Sequence, residues 1–188
     1  ALNFDGVDDF VNLGSPSSLR PSLPVSVSAW VYFDRNTGDA QGIFESGRDD
    51  GTLVSTFHTG FNMTLGFATA GKISANFGDN VICGSTGRRT KTGNTTITTG
   101  AWHHVVAVIQ GATNMQLYLD GVDDSGTYAG TGGTMSYTNG DEAQIGRHYR
   151  CSVTTIAPVL TDGLIDDVRI YNRALGANEV QRLYNIGR

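Results

Sequence analysis

Little in this chain is stiff, cross-linked or strongly basic. Only 4 prolines occur in 188 residues, too few for rigid spacers between modules. Two cysteines, Cys83 and Cys151, allow one pairing: a single disulfide in an extracellular protein, or two buried thiols. No apolar run approaches the roughly 18 residues that span a bilayer, so no membrane insertion is expected. The formal net charge of −5 argues against nucleic acid as a partner, because a phosphate-tracking protein carries a basic face. A signal peptide is absent, yet the chain opens on Ala1 rather than Met. It reads as a processed or excised fragment, and the missing leader says nothing about secretion. Glutamate occurs only at Glu45, Glu142 and Glu179. A G-x-S-x-G nucleophile elbow is missing, and the scattered histidines lack zinc spacing. No repeat, low-complexity tract or linker divides the chain, so residues 1–188 read as a single domain.

What is abundant is glycine, with 25 residues, which suits many tight turns. Val25 to Phe33 is the strongest strand. Val25, Val27, Ala29, Val31 and Phe33 share one face; Ser26, Ser28, Trp30 and Tyr32 share the other. Further strands are expected at Ile43–Ser46, Leu53–Thr59, Met63–Ala68, Ile73–Phe77, Trp102–Gln110 and Met115–Asp120. Asp120-Gly121 is a hairpin signal. Residues 78–100 read as a long loop with a short strand near Val81. The regular spacing favours a sandwich over βαβ units. The closing segment, GLIDDVRIYNRALGANEVQRLYNIGR, reads as a last strand, a loop and a helix from Ala177. Strand alternation places Leu164, Asp166, Val168 and Ile170 opposite Ile165, Asp167, Arg169 and Tyr171. Gly176 with Glu179 forms the helix start, and Gly187 is placed to end it in a left-handed conformation.

Gly163, Ile165 to Leu175, Glu179, Val180, Leu183 and Tyr184 resemble the ending of LamG-like domains of the concanavalin A-like lectin/glucanase superfamily. Gly176 stands where Ser is usual. The opening F-D-G-V-D-D-F-V, the S-A-W-V strand, W-H-H-V with L-Y-L-D-G, and Ile145-Gly146-Arg147 extend the resemblance from Leu2 to the C-terminus. It implies an all-β, two-sheet antiparallel jelly-roll sandwich with a short C-terminal helix. It also implies neighbouring first and last strands, and hence a structural calcium held by some of Asp5, Asp8, Asp166 and Asp167 with main-chain oxygens. The alternative is that these acids bond turn amides, with Asp167 merely solvated or paired with Arg169.

A sugar needs an aromatic platform with polar groups around it. Arg147, His148 and Tyr149 form a compact aromatic–basic cluster, with Arg48 in a turn on the same rim. Trp30 and Tyr32 offer an aromatic face that equally suits packing. Arg88, Arg89 and Lys91 form a basic loop suited to sulfate or uronate, or simply solvated. The superfamily's glucanases use an E-x-D-x-E strand that is absent here, and its lyases a Q-I/V-H strand that here ends in Gly146. The expected function is a non-catalytic carbohydrate-binding module of a larger secreted or cell-surface protein, its partner a polysaccharide or oligosaccharide. The alternative is an adhesion or protein-interaction domain.

Overall fold

The VSVSAWVYF segment sits between two neighbours in a sheet, and its alternation sets the layers. The computed structural model describes residues 1–36, 38–47, 58–67, 69–80, 84–137, 142–149 and 158–187. Along the chain run β1 (Leu2–Asp5), β2 (Val11–Asn12), β3 (Val25–Phe33), β4 (Gln41–Glu45), β5 (Phe61–Leu65), β6 (Lys72–Gly78), β7 (Arg88–Thr96) and β8 (Trp102–Gly111). There follow β9 (Asn114–Leu119), β10 (Val122–Asp123), β11 (Thr127–Ala129), β12 (Gln144–Ile145), β13 (Arg147–Tyr149), β14 (Pro158–Leu160), β15 (Asp162–Tyr171) and α1 (Ala177–Ile186). One sheet has the order β1-β15-β3-β8-β9-β10 and the other β11-β7-β6-β5-β4-β12-β2, with β13 and β14 as a separate two-stranded ribbon. Every pairing is antiparallel. This is the expected two-sheet jelly-roll sandwich.

The inner faces meet in one apolar core. Val25, Val27, Ala29, Val31 and Phe33 pack with Val105, Ala107, Ile109, Met115 and Leu117 of their own sheet. Opposite them lie Phe44, Phe61, Met63, Leu65, Ile73, Ala75 and Phe77. The unbroken apolar run of β8 has a separate cause. Its alternate residues Val106 and Val108 face outward and are covered by Leu175 and Val180 at the start of α1. A strand buried on both faces loses its alternation. The helix start lacks a side-chain cap because Gly176 has none to offer; Glu179 alone completes it, accepting the Gly176 N–H at 2.9 Å.

Three expectations need correction. Residues 78–100 are not a loop throughout: Arg88–Thr96 is a strand, its Thr-rich pattern serving as a β former where charge masked the alternation. A bulge between Asp166 and Arg169 reverses the alternation in β15. Ile165 pairs with Val31 and Ile170 with Val27, so both turn inward, although simple alternation separates them. Gly187 ends the helix at φ −87°, not in the left-handed region, its N–H donating to Leu183 O. The expected strands around residues 53–57 and 81, and both cysteines, lie outside the described residues.

Candidate functional site

The outer face of the seven-stranded sheet carries a row of polar side chains, one from each of six adjacent strands. Register places Asn12, Gln144, Glu45, Asn62, Asn76 and Thr90 in line across β2, β12, β4, β5, β6 and β7. The local cause is alternation: F-N-M-T-L and I-S-A-N-F turn their apolar residues into the core and their polar ones out. Asn76 Nδ2 donates to Asn62 Oδ1 at 2.8 Å, and Thr90 Oγ1 donates to Asn76 Oδ1. One register step away, Ser74 and Thr92 share a 3.1 Å hydroxyl contact. Except for Asn12, the row is buried.

A second layer stands over this polar belt. The β13–β14 ribbon crosses β4 closely enough that a Cβ at Gly42 would collide with the Arg147 carbonyl, so only glycine fits there. The ribbon sets the Tyr149 N–H on Glu45 Oε2 at 3.1 Å and the His148 Nδ1 atom 3.4 Å from the same oxygen. The Phe67 ring meets His148 edge-on at 5.4 Å, and the Arg88 guanidinium lies 4.6 Å over the Phe67 ring. Burial, then the charges of Arg88 and His148, push the His58 pKa down to about 4. Burial also lowers Arg88 from its usual value.

Among the described residues, several groups here are buried without a hydrogen-bond partner: Thr64 Oγ1, Gln144 Nε2, Arg88 Nε and His148 Nε2, while His148 Nδ1 has only the 3.4 Å approach to Glu45. Buried polar atoms are normally satisfied by protein, water or ligand. The arrangement therefore keeps buried donors and acceptors whose partners are not among the described residues.

The sequence-derived residues fall as follows. Arg147 and Tyr149 join Phe10 in a stack, with the Arg147 guanidinium 3.4 Å from the Phe10 ring centre and 4.6 Å from that of Tyr149. Arg147 Nε donates to Gln144 Oε1 at 2.7 Å, which ties this rim to the belt. His148 is buried in the second layer. Arg48 lies outside the described residues. Arg88 faces the site, whereas Arg89 donates inward to Ala112 O and Gly130 O and Lys91 to Met115 O. These two are neither loop residues nor solvated, because their register opposite Phe77 and Ala75 turns them toward the sandwich interior. Trp30 and Tyr32 lie outward on the other sheet, where Trp30 stacks on Tyr184 and Tyr32 tilts against Trp102.

The four acids proposed for calcium are not brought to one point. Asp5 pairs in register with Asp162 and Leu2 with Ile165, so Asp166 lies at the far end of the ladder, roughly 13 Å from Asp5 at strand rise. Asp5 and Asp8 cluster instead with Asp9, their carboxylate oxygens within 4.8 Å of one another. Asp5 Oδ1 accepts the Val7 and Asp8 N–H groups at 2.8 and 3.4 Å. Asp167 pairs with Arg169 at 2.8 Å.

A laminin-G family model, described as the concanavalin A-like lectin/glucanases superfamily, matches residues 5–181. The chain belongs to that superfamily. No curated protein matches it. Among solved structures, it is similar to the CBM40 of the Ruminococcus gnavus IT-sialidase bound to alpha2,3-sialyllactose, at 12% identity over 97% of each chain with a TM-score of 0.68. It is also similar to the SAP-like pentraxin of Limulus polyphemus, at 16% identity over 97% of this chain and 80% of that one, TM-score 0.60. A third is domain 4 of the arabinanase AbnA of Geobacillus stearothermophilus in complex with arabinotriose: 21% identity, 87% and 68% coverage, TM-score 0.52. At these identities the likeness carries the fold alone.

Most of the belt was missed from sequence. Asn62, Asn76, Thr90, Glu45 and Gln144 stand in short strands whose alternation is legible, but nothing in it shows that they share one register.

Proposed function

We propose that this chain is a non-catalytic carbohydrate-binding module of a larger secreted or surface protein. It would bind a polysaccharide or oligosaccharide on the outer face of the seven-stranded sheet. The observation that carries the reading is the aligned polar belt with buried, unpartnered donors and acceptors above it. Where α1 covers the other sheet, Val106 and Val108 meet Leu175 and Val180 as apolar contacts. Sugars offer the hydroxyls such a face needs. Similar folds in complex with sialyllactose and arabinotriose support the same ligand class. Phe67 and Arg88 supply the platform and charge, and the Phe10–Arg147–Tyr149 stack the rim. The non-catalytic reading is supported by the three glutamates. Glu45 lies under the ribbon, Glu142 accepts from Asn12 and Glu179 pairs with Arg173, each already engaged with a neighbour. No helix among the described residues is long and apolar enough to cross a membrane.

We propose that a structural calcium binds at Asp5, Asp8 and Asp9, of which Asp5 and Asp9 also accept turn amides. Their clustered hard oxygens fit calcium, and the cation would offset repulsion within this exposed turn. The test is a glycan and polysaccharide array, run in calcium and in EDTA. Binding is expected in calcium; silence across neutral and acidic glycans would favour a protein-adhesion role instead. Asp8→Ala is expected to shrink the calcium-induced gain in Tm, and an unchanged gain would remove Asp8 from the site.

A further inference from the structure

The opposite sheet carries a second pocket that the belt does not explain. It has a volume of about 520 Å³ and is lined by Trp30, Trp102, Tyr184, Asp120, Asp166 and Asp167 beside Gly187. This is within the range of small-ligand sites. Each wall has a local cause. Trp30 (β3) and Trp102 (β8) rise from strands of one sheet face. Tyr184 descends from α1 and stacks on Trp30 at 5.8 Å and 20°. Gly187 lies so close to the Trp30 indole that a Cβ would collide with Nε1. Asp166, opposite Trp30 in register, and Asp167, at φ +49° in the β15 bulge, both line the pocket. Asp120, at φ +51° in its hairpin turn, is fixed by the His104 N–H at 2.9 Å and by His103 Nδ1 at 2.8 Å.

The chemistry is selective. Trp102 is 40% exposed, the most open aromatic ring of the pocket. Among the described residues, buried Trp30 Nε1 has no hydrogen-bond partner. One side-chain cation stands beside the acids, Arg169 at 2.8 Å from Asp167. Three carboxylates thus face one permanent cation, Arg169, with His103 beside Asp120. Aromatic faces attract cations through their quadrupoles, and ionised oxygens accept strong hydrogen bonds from an ammonium. An uncharged sugar uses only the ring faces; an anion is repelled.

We propose that this pocket is a second ligand site, specific for a protonated amino sugar. One pyranose face would stack on Trp102 while its ammonium meets Asp166, Asp167 and Asp120. The site is independent of the belt and stands or falls without it.

The probe is the trisaccharide of glucosamine, titrated calorimetrically into the whole chain at mildly acid pH, against the N-acetylglucosamine trisaccharide. The free amine is expected to bind about tenfold more tightly than the acetylated form, and less tightly as salt rises. Asp166→Asn/Asp167→Asn removes charge while keeping a residue that tolerates the left-handed bulge; it should lose about tenfold, as should Trp102→Ala, with melting curves checked alongside. Asn62→Leu/Asn76→Leu/Thr90→Val, which alters only the belt, should bind the amine as wild type does. No binding by the wild type, equal binding of the acetylated sugar, or full binding by the folded Asn variant would overturn the proposal.

Discussion

The two sheets present opposite outer faces, although their inner faces are alike. On the six-stranded sheet, Val106, Val108 and Tyr118 are covered by Leu175 and Val180. On the seven-stranded sheet, the equivalent positions are Asn62, Asn76, Thr90 and Glu45, buried yet polar. Apolar burial by a helix stabilises at about 25 cal/mol per Å². A buried polar row contributes little net stability and costs free energy wherever a partner is missing. The patch of the six-stranded face under α1 is thus built for stability, although Ser26, Ser28 and His104 are buried beside it, and the seven-stranded face retains a longer row of groups that stability does not require.

The sharpest contrast comes from charging the stable face. Val180→Asp would bury an unpaired carboxylate against β8 and should cost about 3–5 kcal/mol. Thermal denaturation should show a fall in Tm of roughly 10 °C; a normal Tm would mean α1 is not a structural cover. Next is Gly42→Ala, whose methyl group collides with the β13–β14 ribbon. A cost of about 1–3 kcal/mol is expected, together with weakened glycan binding as the second layer shifts.

The belt itself separates structure from function. Asn76→Ala leaves Asn62 and Thr90 without their partner and should cost about 1–3 kcal/mol. Asn62→Leu/Asn76→Leu/Thr90→Val replaces all the bonded partners and should stay within about 1 kcal/mol of wild type. If the triple variant unfolds at a much lower temperature, the belt is structural after all.

Two histidines, one on each outer face, give the contrast a pH dependence. Burial chiefly pushes His58 and His104 from 6.5 down to about 4. Between those values the unfolded chain binds more protons than the folded one. Their contribution is therefore complete above pH 6.5 and is lost as pH falls toward 4. His104→Gln should flatten part of this slope in Tm measured against pH, and an unaltered slope would contradict the assignment. The smallest effect is at the rim: Tyr149→Ala should weaken glycan binding by about fivefold without moving the melting curve.

Much of the architecture was legible. Val25 to Phe33 alternates strictly, Asp120-Gly121 marks its hairpin, and the closing segment states its strand and helix. The failures have physical causes. The bulge at Asp167 depends on an αL residue that Asp tolerates without a sequence signature. Arg88, Arg89 and Lys91 look like a solvated loop until register assigns them to opposite faces of β7. Arg147 and Tyr149 were found from local clustering, since the stack that joins them spans three residues. The belt spans residues from position 12 to 144, and only strand pairing assembles it. The separation of Asp5 from Asp166 was likewise hidden: adjacent strands were foreseen, but not where along the ladder each acid falls.

The most direct measurement is a glycan array run in parallel on the wild type and on Asn62→Leu/Asn76→Leu/Thr90→Val, with their melting curves recorded. The account predicts that the wild type selects a glycan class and that the triple variant, melting normally, loses it. Equal binding by both proteins would place the sugar elsewhere and contradict the belt as the binding face.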